Sequence, residues 1–387
     1  MSETTKKRTP VKRWIILALV AIGIYAAFMG PGVLRPIAPL VVLPGEETGI
    51  YIVQPFETDS PNPLLLCKPV GEAYQCSFPI TNTMLATMLA DLVLILLAVG
   101  AYRFVKSGKL VPTGIYNFFE MLVEMFWNMA ESSAGRWAKR IFPLTGTIFL
   151  LVFTANMIKL IPGFESIGYL KESHGSYGFK TVELIPGVLW GLDKTQDIKN
   201  AAAAESHSEG SSEASTAEHS EAAFGFPGAK EVDTAKYYEV VPFLRGSATD
   251  LNFTLALAIS TVVMVQVFGV MAIGPGYFSK FFQFNRLVNG GPFGVIDFLV
   301  GFLEIILELA KVLSFAFRLF GNIFAGALLL SIVGALTAVV VPAGLYIFEV
   351  FFGIIQAYVF SLLALMFASG ATVSHHGEEH HEEPAPA

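Results

Sequence analysis

The sequence predicts an all-α polytopic membrane protein, with about five membrane-spanning or intramembrane helices and one more helix at the N-terminus. Its composition supports this prediction, because 53% of the 387 residues are hydrophobic and only 15% are charged. A soluble domain carries roughly 25% charged residues, since its surface must be solvated. The apolar residues also occur in runs of about 20, the length that a helix needs to cross a bilayer. A soluble enzyme is therefore not expected.

The overall charge and the local motifs argue against several classes of ligand. The net charge of −7, and the lack of a Lys/Arg stripe interleaved with aromatic residues, argue against a nucleic-acid partner. The sequence contains neither a Gly-rich phosphate loop nor a nucleophile motif. We therefore expect the chain to bind no nucleotide and no cofactor.

The first helix is predicted within residues 1–30. Basic residues precede an uncharged run from Trp14 to Leu34, which is the order found in a signal peptide or a signal anchor. Because the large residues Phe28 and Met29 occupy the place where a cleavage site would need small ones, an uncleaved anchor is favoured over a cleaved peptide. The basic residues are Lys6, Lys7, Arg8, Lys12 and Arg13.

Residues 31–79 are predicted to form an extracytoplasmic segment. The segment is rich in Pro and Gly, and Ile50–Val53 is its one plausible strand. Cys67 and Cys76 lie nine residues apart within it. In an oxidising compartment they could form a disulfide, and two unrelated free thiols are the alternative. No metal site is expected, because no third thiol and no His lies nearby.

A membrane domain is predicted over residues 80–370, with helices at about 80–104, 141–161, 252–273, 294–333 and 342–370. The fourth helix would extend about 60 Å, whereas the hydrocarbon core is about 30 Å thick. It must therefore tilt strongly, break or run partly along the membrane. The apolar stretch 114–130 is interrupted by Glu120 and Glu124, so we expect a helix at the inner interface.

The loops between these helices predict the orientation of the chain. Residues 162–252 hold fourteen acidic and seven basic residues and are predicted to lie outside. Basic loops remain inside, and the loop between the first two helices contains Arg103, Lys106, Lys109, Arg136, Lys139 and Arg140. Within the outer insertion, 162–251, the Ala/Glu/Ser/His-rich stretch 200–222 is expected to be disordered. The His/Glu-rich tail, 371–387, is interpreted as a solvated tail rather than a metal site, because nothing fixes a ligand geometry.

The last two helices contain the candidate functional residues. Only five charged residues lie between Leu299 and Leu365, namely Glu304, Glu308, Lys311, Arg318 and Glu349. A charge at bilayer depth costs about 2.5 to 3.5 kcal/mol, so each is a candidate. Glu304, Lys311 and Arg318 recur every seven residues and share one helix face, which Asn322 continues. Glu308 and Lys311 are three residues apart and can also form a simple ion pair.

Arg318 is the strongest of these candidates. It cannot lose its proton, and the nearest carboxylate on its helix, Glu308, is ten residues away. It therefore needs an anionic partner from another helix or another chain. On the last helix Glu349 and Gln356 share a face, and a carboxylate with an amide suits a proton or ion path. Hydrogen bonding between helices is the alternative role for Gln356 and Asn322.

These residues lie within motifs that resemble a known family. The stretch 311–326 reads KVLSFAFRLFGNIFAG and resembles the signature of subunit a of the F-type ATP synthase. The stretch 355–360, IQAYVF, resembles the last-helix motif of that family, and 250–255, DLNFTL, resembles the start of its third helix. The RLFGN element is highly specific. The resemblance extends over about 80–370.

The resemblance implies a function and a set of roles. It implies a non-catalytic stator subunit that faces a rotating ring of c subunits, contacts b-type peripheral-stalk subunits and conducts protons through two half-channels. The matching arginine is Arg318, which would attract the ionised ring carboxylate. The outer half-channel would be lined by Glu349, Gln356 and Asn322, and the inner one by Glu304, with Glu308, Lys311 and Ser314 as further candidates. The basic start of the chain and the apolar run after it favour the inner (plasma) membrane of a bacterium as the location, with an organelle membrane as the alternative.

The chain departs from the family pattern at one position. Some members carry a carboxylate at the residue after Gly326, where this chain has Ala327, and a histidine where it has Glu349. This difference makes Glu349 the leading carboxylate of the outer half-channel. A secondary ion transporter is the alternative function, but that class predicts paired broken helices and a two-half repeat, and the sequence shows neither.

Overall fold

A computed structural model describes most of the predicted membrane domain. The described residues are 46–58, 66–70, 73–107, 114–161, 163–172, 179–185, 189–193, 238–281, 291–337 and 340–373, together with Ala18, Ala21 and Tyr25, which are helical. The rest of the predicted N-terminal anchor, the stretch 200–222 and the tail after residue 373 lie outside these residues.

Six long helices account for the membrane domain: α1 (Asn82–Lys106), α2 (Ile115–Ala134), α3 (Ala138–Ile158), α4 (Leu251–Ile273), α5 (Gly291–Thr337) and α6 (Val340–Ala371). Five of them coincide with the five predicted membrane helices, and α2 coincides with the predicted interfacial helix. In the described part of the chain, four stretches are long and apolar enough to cross a membrane: Asn82–Lys106, Ile115–Ile158, Leu251–Ile273 and Val341–Ala371. The prediction of a helical, multi-pass membrane protein is confirmed.

The penultimate helix is longer than the sequence predicted. Helix α5 is continuous over 47 residues, which corresponds to about 70 Å at 1.5 Å per residue. A break in the helix is therefore excluded. Strong tilting and a course partly along the membrane remain as the two ways to accommodate its length. Only two residues separate its end at Thr337 from the start of α6 at Val340. The two helices thus form a long hairpin near the C-terminus.

Among the described residues, seven strands lie outside the long helices, where the sequence predicted only one. They are β1 (Glu47–Thr58), β2 (Leu66–Val70), β3 (Ala73–Thr81), β4 (Gly168–Glu172), β5 (Lys180–Ile185), β6 (Leu189–Asp193) and β7 (Tyr238–Pro242). They form one three-stranded sheet in the order β1-β3-β2 and two antiparallel pairs, β4-β7 and β5-β6. The predicted strand Ile50–Val53 is part of β1.

The chain divides into two compact units. The strand-containing unit comprises residues 1–85, 160–245 and 325–350, and the helical unit comprises residues 86–159, 246–324 and 351–387. In the strand-containing unit, the fully buried Asn82 joins three segments. Its side chain accepts a hydrogen bond from the backbone N–H of Glu46 (3.1 Å) and donates one to the carbonyl of Pro242 (3.3 Å). This amide thus ties the first strand and β7 to the start of α1.

The helical unit has an apolar core made by α2 to α6. Aromatic rings fill much of it, and Phe126, Phe149 and Phe360 are at most 2% exposed. The face of α5 that carries Phe315 and Leu319 packs into the same cluster. Helix α4 begins at the buried Asp250, whose carboxylate accepts a hydrogen bond from the N–H of Asn252 (2.9 Å). This N-cap explains why the acidic residue of the DLNFTL stretch stands directly before an apolar helix.

Candidate functional site

Arg318 lies on α5 in the helical unit, between the turns that carry the buried Phe315 and Leu319. Its side chain is half-buried. No carboxylate among the described residues forms an ion pair or a hydrogen bond with it. A guanidinium retains its charge at any accessible pH, and an unpaired charge is costly at bilayer depth. Arg318 therefore needs an anion that the described part of the chain does not provide.

One helical turn beyond Arg318, an amide pair links α5 to α6. The side-chain Nδ2 of Asn322 donates a hydrogen bond of 2.7 Å to Oε1 of Gln356. Gln356 is only 3% exposed, and its own Nε2 has no hydrogen-bond partner among the described residues. The link is the interhelical bond that the sequence allowed as the alternative role of these residues. The free N–H donor nevertheless remains available to water inside the unit.

A third amide, which the sequence analysis missed, lies beside this pair. Asn156 of α3 is 1% exposed, and its Nδ2 donates a hydrogen bond of 3.2 Å to the carbonyl of Gly353 on α6. Its Oδ1 has no partner among the described residues. Gly353 and Gln356 are three residues apart and therefore share a face of α6. The sequence contained a signal for this residue, because an amide within an apolar membrane helix is costly unless it is used.

Glu308 and Lys311 form the ion pair that their spacing allowed. The Lys311 ammonium lies 2.9 Å from Oε1 of Glu308, and both side chains are largely buried. The same ammonium lies 5.1 Å from the centre of the Phe367 ring on α6, a distance at which a cation and an aromatic face attract each other. The partners of Lys311 are therefore within the chain, in contrast to those of Arg318.

The two remaining candidates on α5 differ in exposure. Glu304 is half-buried one turn before Glu308, and Ser314 is exposed one turn before Arg318. Both therefore lie along the length of α5 that leads towards Arg318 from its N-terminal end. The structure places neither in direct contact with Arg318.

Glu349 belongs to the strand-containing unit, where it packs against Gly326 of α5. A β-carbon built on Gly326 would lie 2.9 Å from Oε1 of Glu349. A larger residue at position 326 would therefore push the flexible end of the Glu349 side chain aside. The carboxylate of Glu349 thus contacts α5 one residue before Ala327. Some members of the family that the chain resembles carry their carboxylate at the position of Ala327. Two turns further along α6 stands Gln356.

The two cysteines are bonded to each other. Cys67 of β2 and Cys76 of β3 are direct cross-strand partners, and their sulfur atoms form a disulfide. The bond closes the β2-β3 hairpin in the segment before α1. Among the described residues, no group of three or more His, Cys, Asp or Glu side chains is arranged to hold a metal ion.

These features define a class of protein. It is a multi-pass helical membrane protein whose last two helices carry a hydrogen-bonded amide pair, a glutamate and an arginine that has no anionic partner in the described chain. Residues 84–369 match the family described as ATP synthase A chain, and the chain belongs to that family. The resemblance carried by the RLFGN and IQAYVF stretches is thereby confirmed.

Several curated relatives agree with this assignment. ATP synthase subunit a of Moorella thermoacetica is 22% identical over 309 residues, which cover 80% of this chain and 98% of that protein. ATP synthase subunit a of Geobacter sulfurreducens is 26% identical over 285 residues, covering 74% and 86%. ATP synthase subunit a 2 of Picosynechococcus sp. is 38% identical over a shorter stretch of 142 residues, covering 36% and 56%. The chain is thus a proton-translocating membrane subunit that serves ATP synthesis.

Proposed function

We propose that the chain is the stator that carries protons to and from a rotating ring of c subunits through two half-channels. Arg318 faces the ring and attracts the ionised carboxylate of each c subunit that passes it. The observation that carries this proposal is the absence, among the described residues, of any carboxylate paired with Arg318. An anion from another chain, arriving and leaving as the ring turns, meets that need without a permanent in-chain partner.

The charge of Arg318 also explains how the two half-channels are kept apart. A cation close to a carboxylate favours the ionised form of the carboxylate, especially where the effective dielectric constant is low. A ring carboxylate therefore passes Arg318 without its proton, and the proton cannot cross directly from one half-channel to the other. The transmembrane potential supplies about 2.3 kcal/mol per charge per 100 mV. The energy from several protons must therefore be added together through rotation of the ring to make each ATP.

On the outer side, Glu349 is the group that takes up and passes on the proton. Its carboxylate can hold a proton, and the packing of this carboxylate against Gly326 keeps it close to α5. The amides of Asn156, Asn322 and Gln356 continue the path inside the helical unit. Two of them have a buried polar atom that finds no hydrogen-bond partner among the described residues. These atoms are Oδ1 of Asn156 and Nε2 of Gln356. Buried groups of this kind are normally satisfied by water, which is the medium that a proton path needs.

On the inner side, Glu304 is the leading acceptor of the released proton. It lies on the same face of α5 as Arg318, at a distance of fourteen residues along the helix. Lys311 and Glu308 neutralise each other, so we assign them the support of this face rather than the transfer itself. Ser314 is exposed and provides a hydroxyl that orders water near Arg318.

The finer assignments of place and partners follow from this function. We propose that the chain is located in the inner (plasma) membrane of a bacterium, where it contacts membrane lipid, the c-ring and b-type peripheral-stalk subunits. The ATP chemistry belongs to other subunits of the complex, and this chain contributes proton conduction alone.

The replacement of Arg318 tests the proposal. In the complete complex reconstituted into vesicles, Arg318→Ala should abolish proton-driven ATP synthesis while the complex still assembles. Lys139→Gln is the matched control, because it removes an exposed cation of α3 that the proposed proton path does not use, and it should retain most of the activity. ATP synthesis at the normal rate by the Arg318→Ala complex would overturn the assignment.

A further inference from the structure

Asp91 is a charged residue that the proton path does not use. It lies on α1 and is the only charged residue of that helix before Arg103. Nine residues separate it from the start of the helix at Asn82, or about 13 Å, and twelve residues separate it from Arg103, or about 18 Å. Since the hydrocarbon core is about 30 Å thick, Asp91 lies near the middle of the membrane.

The carboxylate of Asp91 points away from the rest of its own unit. The inner face of α1 is marked by the buried Ala86 and Ala90 and by Gly100, against which the Tyr116 ring of α2 packs. Asp91 lies about 140° around the helix from Ala86, given a rotation of about 100° per residue, and it is exposed. Among the described residues, no hydrogen bond or ion pair reaches it.

The surface around Asp91 is apolar. The side chains above and below it on the same face are Met84, Met88, Ile95 and Tyr102, with exposed fractions of 37%, 59%, 59% and 68%. Within α1, only 11% of the residues in the most apolar window are buried, compared with 33% to 56% in the other candidate spans. Of these four candidate spans in the described part of the chain, α1 is therefore the one whose surface most needs to be covered by something other than its own chain.

We propose that this face of α1 docks a transmembrane helix of another subunit, and that a Lys or Arg of that helix pairs with Asp91. A carboxylate in hydrocarbon is tolerated where it faces a partner or water, and a charged residue in such a place generally has an opposite charge beside it. The side chain of Asp is too short to reach the interface about 13 Å away, so lipid headgroups cannot supply the pairing cation. The apolar residues on both sides of Asp91 provide the packing surface for the partner helix.

Two other occupants are less suited to this face. Lipid tails would cover the apolar residues, but they would leave the carboxylate either unpaired or forced to take up a proton. The uncharged run from Trp14 to Leu34 of the same chain could pack there, but it carries no cation. The pairing of opposite charges therefore favours a basic helix from a second subunit of the complex.

Site-specific photocrosslinking tests the proposal in the intact complex. A benzophenone amino acid placed at Met88, on the same face as Asp91, should form an adduct with another subunit in native membranes. Mass spectrometry of that adduct should identify an apolar, membrane-spanning peptide that contains Lys or Arg. An adduct confined to lipid or to this chain itself, or a crosslinked peptide with no basic residue, would overturn the proposal.

Charge variants separate pairing from simple packing. Asp91→Leu should reduce the amount of the crosslinked subunit that co-purifies by about tenfold or more, because the cation of the partner would be left unpaired in the membrane. This variant makes α1 more apolar and so favours its insertion, and an unchanged amount of the chain itself in the membrane excludes misfolding as the cause of the loss. Asp91→Glu and Ile95→Ala, which keep the charge, should retain the partner. Asp91→Lys combined with Asp at the partner's basic position should restore the complex, and unchanged co-purification with Asp91→Leu would refute the pairing.

Discussion

At the residue scale, the two cations of α5 differ in whether an anionic partner lies within the described chain. Lys311 and Glu308 pair at 2.9 Å, and such a pair has no net charge to offer a moving proton or ion. Arg318 has no anion among the described residues, whereas the carboxylate of Glu349 packs against Gly326. The proposed function therefore depends on Arg318, whose anion another subunit would supply, and on Glu349, whose carboxylate can hold and release a proton.

The role of Glu349 can be tested by removing its charge. Glu349→Gln keeps the shape of the side chain but cannot hold and release a proton, so proton passage through the reconstituted complex should slow by about a hundredfold. Passive proton uptake by vesicles that contain the complex measures this rate. Glu120→Gln removes an exposed carboxylate of α2 and should leave the rate unchanged. An unaltered rate in Glu349→Gln would move the outer proton site to another residue.

The packing of Glu349 against Gly326 can be tested separately from the charge of Glu349. In Gly326→Ala the new β-carbon would lie 2.9 Å from Oε1 of Glu349, so the flexible carboxylate must move aside. We expect proton passage to fall by about tenfold, because a shift of about 1 Å in a reacting group is costly in rate. The stability of the complex should change little. Gly344→Ala is the control, since nothing lies within 4 Å of a β-carbon at that position. Equal rates of proton passage in the two variants would contradict the role of the contact between Gly326 and Glu349.

At the element scale, α3 and α6 approach closely because one of them carries a glycine at the crossing. A β-carbon on Gly353 would lie 3.2 Å from Cβ of Asn156 and 3.0 Å from Cε of Met157. The close approach also allows the side chain of Asn156 to reach the carbonyl of Gly353. Small residues serve this purpose in membrane proteins, where helices gain from tight packing rather than from the exclusion of water.

Replacement of that glycine should weaken the contact between the two helices. We expect Gly353→Ala to lower the free energy of unfolding by about 1 to 3 kcal/mol, the usual cost of inserting an extra methyl group into a packed interior. Thermal denaturation of the purified complex in mild detergent measures the effect. Gly370→Ala on the same helix meets no atom within 4 Å and should be neutral or slightly stabilising, because Ala favours the helix. A loss of stability that is equal in both variants would show that the packing at Gly353 is not its cause.

At the scale of the whole molecule, the positions of the disulfide and of the basic residues predict one orientation. The bond between Cys67 and Cys76 lies in the segment before α1, and disulfides persist in oxidising compartments outside the cytoplasm. The last turn of α1 contains Arg103 and Lys106, and basic residues remain on the inner side. The start of α1 is therefore predicted to lie outside and its end inside.

Thiol labelling tests this orientation directly, because the chain has only two cysteines. Intact cells treated with a reductant that does not cross the membrane, and then with an impermeant maleimide, should label Cys67 and Cys76. Without the reductant, neither residue should react. The double variant Cys67→Ser and Cys76→Ser gives the background signal. Labelling only after the membrane is made permeable would place the hairpin inside and reverse the predicted topology.

The sequence by itself determined the membrane class, the positions of the helices and the charged candidates, because composition, apolar run length and helical spacing are local properties of the chain. The predicted helices begin and end within a few residues of α1 and of α3 to α6. The short strands were mostly missed, since they lie in segments whose alternation of polar and apolar residues is weak. The pairing of the two cysteines was likewise left open.

Only the tertiary structure decided which polar groups meet. It paired Lys311 with Glu308, joined Asn322 to Gln356, brought Asn156 of α3 to Gly353 of α6 and seated Glu349 against Gly326. The amide of Asn156 and the carbonyl of Gly353 are 197 residues apart in the chain. No local pattern can specify such a contact, because it depends on how closely two helices approach and on which side chains are small enough to allow it.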